Sequence, residues 1–576
     1  MNSNGRKITG ADQVIKALKQ KKIREVFVYP GGTIAPILDL VKKNKINLFV
    51  SRHEQGAGYA AIAASKVKKK SQICIVSSGP GVTNVITPVA DAYYDSTPLV
   101  VITGQVGQKD MKGDKKIRQK GFQETDTMSL FQSITKKCFQ PKKIEEVNET
   151  ILEAFNLSEK GRPGPVLVDI PMNIQRDSFK NKKLSYKKKQ FKKLILKKVS
   201  KKTINKISKI INNSKKPLIL CGQGVSISKS EKILKKFAIK NKIPVTMSLL
   251  ALGTFPTQHY LSLGFHGHTG NQAAGLAIQN CDLLIVLGSR LDLRQVGTEV
   301  NKFALNSKII RIDIDKEEIL HSRIKCHINI NSDMSDVLKK ISNKVKINCH
   351  DWLEDIKNFK KNNKLKFKRT GLIKPQEIIE RINELTLNSK TICVSGVGQH
   401  QQWTARHFSF DNPKKVWFTS GGHGAMGYDL PVAIGSQYVS PKDLVLCFVG
   451  DGSFQMNIQE LASIKVYNLP VKIIVLDNNR LGIVSQFQKI NWNDDPTCGN
   501  KWNPNFKKIA ENYGIFSQTI LRRSEMHSKI KKFLNFKGPS LIHCIIDGKE
   551  ELSPMLLPGE TLDKMWTNQK FKNNNV

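Results

Sequence analysis

Long apolar runs are missing from this chain of 576 residues. It contains no stretch of about 18 consecutive apolar residues, so we predict no membrane-spanning helix and no membrane partner. Its first twenty residues lack the continuous apolar core of a secretory signal. Its ten cysteines include no CxxC pair and no zinc-binding spacing. This pattern favours a cytoplasmic protein in a reducing compartment.

Acidic residues are also scarce. The 48 Asp and Glu residues face 93 Lys and Arg residues, which gives a formal net charge of +45. Such an excess can serve nucleic-acid binding, and a basic binding protein that has lost catalysis is one interpretation. The lysines are nevertheless spread along the whole chain instead of clustering with arginines and aromatics on one element. We therefore predict a lysine-biased, solvated surface and no nucleic-acid partner.

Short apolar runs rich in Val, Ile and Leu recur between amphipathic segments. They lack strict alternation with polar residues, which is typical of strands buried on both faces of a parallel sheet. Glycine-rich turns follow several of the runs, and ligands in such folds bind at the carboxyl ends of the strands. The predicted fold class is therefore α/β. The runs are Ile73–Val76, Leu99–Thr103, Val166–Ile170, Leu218–Cys221, Leu283–Leu287, Ile309–Ile314, Val445–Val449, Val471–Leu476 and Leu541–Ile546.

Two lysine-rich stretches separate these runs into three blocks. Lys180–Lys202 contains twelve lysines and no acid, and Lys357–Lys374 contains eight basic residues and no acid. Like charges repel and seldom form a core, so we predict solvated connectors, with polyanion-binding arms as the alternative. The resulting domains are 1–180, 200–350 and 375–550. No sequence repeat links them.

The third block holds the strongest motif. Gly450–Ser453 (GDGS) follows one apolar run, and Asp477–Asn479 (DNN) follows the next, with Asp451 and Asn478 27 residues apart. Adjacent parallel strands would bring both turns to one sheet edge. There an Asp carboxylate and an Asn carbonyl suit Mg²⁺, and the glycines admit backbone N–H groups to a diphosphate. A GDG alone would be weak, but the pair resembles the signature of enzymes that use thiamine diphosphate.

The first block supplies the other half of such a site. Arg52–Gly58 (RHEQGAG) follows a strand-like segment and opens an alanine-rich helix. Thiamine diphosphate needs a carboxylate against its aminopyrimidine ring to generate its reactive form. Alone, Glu54 would more often be a partner of the helix dipole. Together with the GDG and NN turns, it is predicted to be the acid that activates the cofactor.

Longer segments resemble the catalytic (large) subunits of acetolactate, or acetohydroxyacid, synthases. The resemblance implies three doubly wound parallel-sheet domains: an N-terminal pyrimidine-binding domain, a central FAD-type domain and a C-terminal diphosphate- and Mg²⁺-binding domain. It further implies thiamine diphosphate, Mg²⁺ and a structural FAD as cofactors. It also implies a homodimer or homotetramer in which two chains build each site, and a small regulatory subunit as a further partner. The segments are 29–39, 52–65, 77–106, 121–126, 161–171, 281–297, 398–403, 450–463 and 469–488.

The resemblance also assigns individual residues. Arg294 has a physical rationale of its own, because a guanidinium can hold the carboxylate of a second 2-oxo acid through two hydrogen bonds. The residues matching positions around the reacting carbons are Gly32, Phe122, Gln123 and Arg294, and Glu54 matches the acid that activates the cofactor. Those matching diphosphate contacts are Gly398, Gln399, His400, Gly452 and Ser453, with Met426 as the wedge under the bent cofactor and Asp451 and Asn478 as metal ligands. Those matching the flavin site are Arg162, Gly222, Gly224, His266, Gly267, Gly288, Ser289, Arg290, Asp313 and Asp333.

Several positions depart from the family pattern near the expected substrate cleft. None of them is Glu54, Asp451 or Asn478. We therefore predict decarboxylation of pyruvate and carboligation to a second 2-oxo acid, giving 2-acetolactate for branched-chain amino acid biosynthesis. The alternative keeps the cofactor but changes the acceptor, for example to a keto-sugar of surface polysaccharide synthesis, or simply protonates the product as a decarboxylase. The departures are Phe487 for Trp, Phe265 for Met, Met172 for Lys, His423 and Asp429 in GGHGAMGYD, and a longer, basic loop at 107–120.

Overall fold

The fold is described from a computed structural model that covers residues 7–179, 198–494, 498–499 and 502–567. Over these ranges the chain forms three six-stranded sheets and one two-stranded sheet. Every strand pair in the six-stranded sheets is parallel. The predicted α/β fold class is confirmed. Over the same ranges, no helix is both long enough and apolar enough to span a bilayer.

The first sheet has the strand order β3-β2-β4-β5-β7-β6. The order changes direction between β2 and β4, so the turns after these two strands face one crevice. The strands are β1 (Ile8–Thr9), β2 (Glu25–Val28), β3 (Asn47–Val50), β4 (Gln72–Val76), β5 (Leu99–Gln105), β6 (Cys138–Phe139), β7 (Pro165–Pro171) and β8 (Ser178–Phe179), of which β1 and β8 form the two-stranded sheet. The helices are α1 (Gly10–Gln20), α2 (Ala35–Lys43), α3 (Glu54–Lys68), α4 (Pro80–Asn84), α5 (Ile86–Tyr94), α6 (Thr127–Phe131), α7 (Ile144–Glu159) and α8 (Met172–Arg176).

The second sheet has the order β11-β10-β9-β12-β13-β14, which is that of a doubly wound dinucleotide-binding fold. Its crevice lies between β9 and β12. The strands are β9 (Pro217–Cys221), β10 (Val245–Met247), β11 (Ser262–Phe265), β12 (Leu283–Leu287), β13 (Lys308–Asp313) and β14 (Ile328–Asn331). The helices are α9 (Lys201–Asn212), α10 (Gly224–Ile227), α11 (Glu231–Lys240), α12 (Gln272–Asn280), α13 (Leu293–Val296), α14 (Lys316–Leu320), α15 (Met334–Ile341) and α16 (His350–Asn362).

The third sheet, ordered β16-β15-β17-β18-β20-β19, repeats the topology of the first sheet. This structural repeat is not visible in the sequence, and its crevice lies between β15 and β17. The strands are β15 (Thr391–Ser395), β16 (Lys415–Phe418), β17 (Leu444–Gly450), β18 (Lys472–Asp477), β19 (Phe516–Ile520) and β20 (Ser540–Ile545). The helices are α17 (Pro375–Leu385), α18 (Gln399–His407), α19 (Asp429–Val439), α20 (Asp451–Gln455), α21 (Leu461–Val466), α22 (Gly482–Trp492), α23 (Phe506–Asn512) and α24 (Met526–Asn535).

Both faces of each sheet are buried. In β4, Ile73 packs into one apolar cluster and the next residue, Cys74, packs into another. The second of these clusters also holds residues of the third sheet, because α3 packs against α19. A Cβ on Gly435 of α19 would lie 2.4 Å from the carbonyl oxygen of Ala60, so the two helices meet backbone to backbone. This contact joins the first and third domains within one chain.

One predicted connector is partly wrong. Lys357–Asn362 belongs to α16, whose apolar residues Trp352 and Ile356 are buried, so its lysines are the exposed face of an amphipathic helix. Most of the other predicted connector, residues 180–197, lies outside the described part of the chain. Its last two lysines, Lys201 and Lys202, begin α9. The cysteines predicted to be buried (Cys74, Cys221, Cys393, Cys447 and Cys544) are buried.

Candidate active site

The carboxyl ends of β15, β17 and β18 bring the C-terminal group of predicted residues together. β17 and β18 are adjacent and parallel, with Gly450 opposite Leu476, so the GDGS and DNN turns leave the same sheet edge as predicted. The group consists of Gly398, Gln399, His400, Met426, Asp451, Gly452, Ser453 and Asn478. We refer to these eight residues as the C-terminal group.

The His400 ring lies between two glycines. A Cβ at Gly398 would be 2.7 Å, and one at Gly450 2.8 Å, from its Nδ1 atom. Its Nε2 atom is buried and has no hydrogen-bond partner in the part of the chain that the structure describes, although the Asp429 Oδ2 atom lies 3.6 Å away. A buried polar atom without a partner costs free energy. This atom therefore marks a position where a polar ligand would be accepted.

One hydrogen bond and one packing contact connect other members of the C-terminal group. Asn478 Nδ2 donates a hydrogen bond to Gln399 Oε1 at 3.2 Å, which ties the turn after β18 to the start of α18. Met426 Cε would lie 3.4 Å from a Cβ on Gly452, so its side chain covers the glycine of the GDGS turn. The lining of this crevice is thus apolar on one side and carries amide and carboxylate oxygens on the other.

Asp429, one of the departures from the family pattern, is fully buried beside this group. Its Oδ2 atom accepts a hydrogen bond from Ser453 Oγ at 2.8 Å, and Ser453 Oγ in turn accepts one from the Gly427 backbone N–H at 2.9 Å. The hydroxyl proton of Ser453 is therefore directed at Asp429. A ligand in the crevice would meet Ser453 through other atoms.

The predicted metal ligand Asp451 has neighbours that the sequence did not identify. Asn503 Nδ2 donates to Asp451 Oδ2 at 2.7 Å and to Asp477 Oδ1 at 2.8 Å, and His543 Nε2 lies 2.8 Å from Asp477 Oδ2. Burial raises the pKa of Asp451 to about 6. Burial alone would raise the pKa of Asp477, but the hydrogen bonds from His543, the Asn479 backbone N–H and Asn503, together with the charge of His543, outweigh burial and keep that pKa below its usual value.

The sequence contained signals that could have identified two of these three neighbours of Asp451. Asp477 directly precedes Asn478, and His543 is a histidine inside an apolar run. Asn503 has no comparable signal, because nothing in its local pattern points to a residue 52 positions away.

The N-terminal group of predicted residues lies around the turn after β4. It consists of Gly32, Glu54, Phe122 and Gln123. Glu54 is only 6% exposed, and its Oε2 atom accepts a hydrogen bond from Asn84 Nδ2 at 3.0 Å. Gln123 has a left-handed backbone (φ +64°) and packs against Gly79, where a Cβ would be 2.9 Å from the Gln123 Cβ. Gly32 follows β2, whose end faces the same crevice, and a Cβ there would meet nothing within 4 Å. This half of the site is open to a ligand.

The first domain contacts the third domain within one chain next to Glu54, where the Arg52 backbone N–H donates a hydrogen bond to Glu460 Oε1 at 2.9 Å. No hydrogen bond or ion pair links Glu54 to Asp451 or Asn478 in the described ranges. Phe122, which neighbours Gln123, is 85% exposed. A large aromatic side chain left this bare beside a candidate site is a typical contact for a ligand or a second chain.

A cavity of about 580 Å³ lies where the three domains meet. It is lined by nine of the ten predicted flavin residues, namely Arg162, Gly222, Gly224, His266, Gly288, Ser289, Arg290, Asp313 and Asp333. Gly267 is not part of the lining and instead packs against the Arg294 carbonyl oxygen, 2.4 Å from where its Cβ would lie. The volume falls within the range of cofactor pockets.

Local features of this cavity suit a dinucleotide. It opens at the crevice between β9 and β12, where a Cβ on Gly222 would lie 2.0 Å from the Gly288 carbonyl oxygen, so only glycine fits. His266 Nε2 is buried without a partner among the described residues. Burial lowers the pKa of His266 to about 4, which keeps the imidazole neutral at pH 7. Arg162 forms ion pairs with Asp315 at 3.1 Å and Glu318 at 2.6 Å.

Arg294 lies in this cavity and not with the N-terminal group. Its side chain is exposed, and its guanidinium forms no ion pair with any residue that the structure describes. Gly32, Phe122 and Gln123 are not among the residues that line this cavity. An unpaired guanidinium at a cavity mouth remains available for a carboxylate ligand.

The remaining departures occupy three settings. Phe487 is 46% exposed and contacts Trp492 edge to face at a centroid distance of 5.7 Å. His423 stacks on Tyr94 at 5.6 Å. Phe265 lines the cavity, and Met172 is the first residue of α8. Glu124 holds the loop 107–120 by accepting hydrogen bonds from backbone N–H groups of that loop.

A buried acidic pair connects the first domain to the loop that leads to Met426. The backbone N–H groups of Gly421 and Gly422 donate to Asp95 at 3.0 and 2.7 Å, and Ser420 Oγ donates to Asp91. Both carboxylates are fully buried. Burial, and then the charge of Asp95, raise the pKa of Asp91 from 3.8 to about 8.

Replacing Asp91 with Asn should stabilise the protein at alkaline pH. Unfolded Asp91 ionises near pH 4, whereas folded Asp91 keeps its proton up to about pH 8, so the stability that it contributes falls as pH rises between these values. We expect the melting-temperature advantage of Asp91→Asn to grow by a few degrees between pH 5 and pH 8 and then level off. Thermal melts across this range test it, with the exposed Asp39→Asn as control. A flat difference would contradict the prediction.

Comparison with known proteins matches all three domains to one group of enzymes. Residues 8–130 match the thiamine pyrophosphate enzyme N-terminal TPP binding domain, residues 204–341 match the central domain, and residues 396–544 match the C-terminal TPP binding domain.

Full-length relatives share more than a third of their residues with this chain. The acetolactate synthase large subunit of Cyanidium caldarium is 35% identical over 97% of this chain and 96% of its own length. The acetolactate synthase isozyme 2 large subunit of Escherichia coli K12 is 35% identical over 97% of this chain and 99% of its own length. The probable acetolactate synthase large subunit of Methanocaldococcus jannaschii is 37% identical over 96% and 94%.

Proposed function

The chain belongs to the acetolactate synthase large-subunit family of thiamine pyrophosphate enzymes, and from this premise we propose how its residues carry out the family's reaction. It is a thiamine-pyrophosphate-dependent enzyme that decarboxylates pyruvate and joins the two-carbon unit to a second 2-oxo acid. With pyruvate as the acceptor, the product is 2-acetolactate. The relatives support this activity and not the alternative keto-sugar acceptor. The observation that carries the proposal is the assembly of the C-terminal group at the crevice between β15 and β17.

The C-terminal group fits the diphosphate end of the cofactor. The Nε2 atom of His400, which makes no hydrogen bond to any described residue, supplies a polar contact, and the glycines keep side chains out of the crevice. The Asp451 carboxylate and the Asn478 amide oxygen are the hard oxygen donors that Mg²⁺ prefers beside phosphates. Thiamine diphosphate, when bound, provides a carbon nucleophile and takes up the electron pair left by loss of CO₂.

Glu54 and the neighbouring residues act on the other end of the cofactor and on the substrates. The Glu54 carboxylate is held by Asn84 and would exchange a proton with the aminopyrimidine ring of a bound cofactor. Gln123 and Gly32 position the acceptor carbonyl next to Phe122, and Arg294 holds the acceptor carboxylate. Burial of the crevice excludes water, which would otherwise quench the carbon nucleophile.

The site is proposed to be shared between two copies of the chain. Glu54 of one copy would face Asp451 of the other; in support, Glu54 forms no hydrogen bond or ion pair with Asp451 or Asn478 within the described part of one chain. This requires a homodimer or a homotetramer, as the family resemblance implies. A small regulatory subunit is a further proposed partner, because relatives are described as large subunits.

The 580 Å³ cavity is proposed to hold FAD. A flavin dinucleotide is favoured by the neutral His266, whose Nε2 atom has no hydrogen-bond partner among the described residues, and by the close glycine contact at the ends of β9 and β12. Acetolactate formation has no net redox step, so the flavin would be structural. Purified protein should be yellow, with absorbance near ~450 nm from the flavin ring. A colourless protein that takes up no added FAD would contradict this proposal.

Product analysis with pyruvate alone tests the function. We expect acetolactate to form when thiamine diphosphate and Mg²⁺ are both added. Acetaldehyde as the only product would point to simple decarboxylation. No turnover of pyruvate would overturn the proposed function.

Phe487→Trp should shift the acceptor preference towards 2-oxobutyrate. The family resemblance places position 487 against the acceptor, where a larger ring adds contact area for one more methyl group. One methylene contact changes discrimination by roughly 10-fold or more. Competition between pyruvate and 2-oxobutyrate in one reaction measures the product ratio, and Trp492→Phe serves as the neighbouring aromatic control. An unchanged ratio would remove Phe487 from the acceptor site.

A further inference from the structure

A chain of hydrogen-bonded side chains ends at the predicted metal ligand Asp451. His543 on β20 contacts Asp477 at the end of β18, and the amide of Asn503 then bridges Asp477 and Asp451. These four side chains come from four separate segments of the third domain. The sequence does not reveal this arrangement, and neither the family resemblance nor the relatives' names describe it.

Both N–H groups of the Asn503 amide are used by carboxylates. Its Nδ2 atom lies 2.7 Å from Asp451 Oδ2 and 2.8 Å from Asp477 Oδ1. Its Oδ1 atom accepts a weaker contact from Gln455 Nε2 at 3.4 Å. The amide therefore holds two largely buried acids at a fixed separation that their mutual repulsion would otherwise widen.

Asp477 serves this arrangement as an anchor. Its Oδ1 atom also accepts a hydrogen bond from the Asn479 backbone N–H at 3.0 Å, and its Oδ2 atom contacts His543. Because both oxygens are engaged, Asp477 cannot turn towards the crevice without losing these bonds. The position of Asn503, and through it that of Asp451, is thereby tied to the strands of the sheet.

We propose that Asn503 is a positioning residue for the metal site: it fixes the orientation in which Asp451 meets Mg²⁺. This inference depends on the proposed function, which supplies the metal. Removing a residue that orients a metal-binding carboxylate typically lowers the metal affinity 10–100-fold. Without Asn503, the Asp451 side chain would have to become ordered when the metal binds, and this cost would lower the metal affinity. The atoms that ligate the metal would remain unchanged.

Manganese binding tests the proposal without catalysis. Full-length apoprotein with saturating thiamine diphosphate is titrated with Mn²⁺, and the free ion is counted by electron paramagnetic resonance. We expect Asn503→Ala to raise the dissociation constant for Mn²⁺ about 10-fold or more, and Asn503→Ser, which keeps one donor, to give an intermediate value. The Mg²⁺ concentration for half-maximal activity should rise by the same factor, whereas kcat at saturating Mg²⁺ stays within about threefold.

Asn505→Ala is the matched control. Asn505 lies two residues further on and caps α23 by accepting from the Lys508 N–H at 3.0 Å, without touching either carboxylate. Its removal should lower the melting temperature but leave the manganese affinity within about twofold. An unchanged affinity in both Asn503 variants would overturn the positioning role alone. Failure of the wild-type protein to bind Mn²⁺ at all would overturn the metal site and, with it, the proposed function.

Discussion

Glu54→Gln should abolish almost all turnover of pyruvate while leaving the fold intact. Glutamine has the same shape as glutamate and can still accept the hydrogen bond from Asn84. It cannot exchange a proton with the cofactor ring, and loss of such proton transfer costs roughly 10²–10⁴-fold in rate. We expect kcat to fall by about 10³-fold.

Pyruvate consumption at saturating thiamine diphosphate and Mg²⁺ measures this loss. Glu153→Gln, which removes a partly exposed carboxylate on α7 that pairs with Lys137, is the control and should retain nearly full activity. Thermal melts and cofactor binding should match the wild type in both variants. A Glu54→Gln enzyme that kept more than about a tenth of the wild-type rate would refute the role assigned to Glu54.

The sequence predicted the parts of the site that depend on neighbouring strands. Asp451 and Asn478 each follow a buried strand, and two such strands that pair in parallel must present their turns at the same edge. The observed pairing of β17 with β18 confirms that step. Their roles as metal ligands, and the domain boundaries, remain predictions.

What the sequence could not provide depends on long-range packing. Asn503 reaches Asp451 because the segment before α23 passes over the sheet edge, and no periodicity encodes that path. Asp91 lies on a helix of the first domain but contacts a loop of the third domain. The lysines of Lys357–Asn362 had the charge pattern of a connector, yet buried residues one or two turns earlier make the segment helical. Charge runs predict exposure, but they do not predict the absence of a helix.

The arrangement of the two half-sites leads to the second large effect. Each variant, Glu54→Gln and Asp451→Asn, should be inactive by itself, because one lacks the proton-exchanging acid and the other weakens the metal site. In a dimer with sites shared across a two-fold axis, each site takes Glu54 from one copy and Asp451 from the other. A mixed dimer then has one site with both defects and one site with neither.

Co-expression of the two variants in equal amounts should therefore restore activity. Random pairing yields about half mixed dimers, each with one intact site of two, so the preparation should reach about a quarter of wild-type activity. Each variant co-expressed with a second, differently tagged copy of itself is the control and should stay inactive. If both halves of a site came from the same chain, every site in the mixture would carry one defect, and the activity would remain at the level of the separate variants. Restoration is thus expected only when Glu54 and Asp451 act from different copies, which is the proposed arrangement.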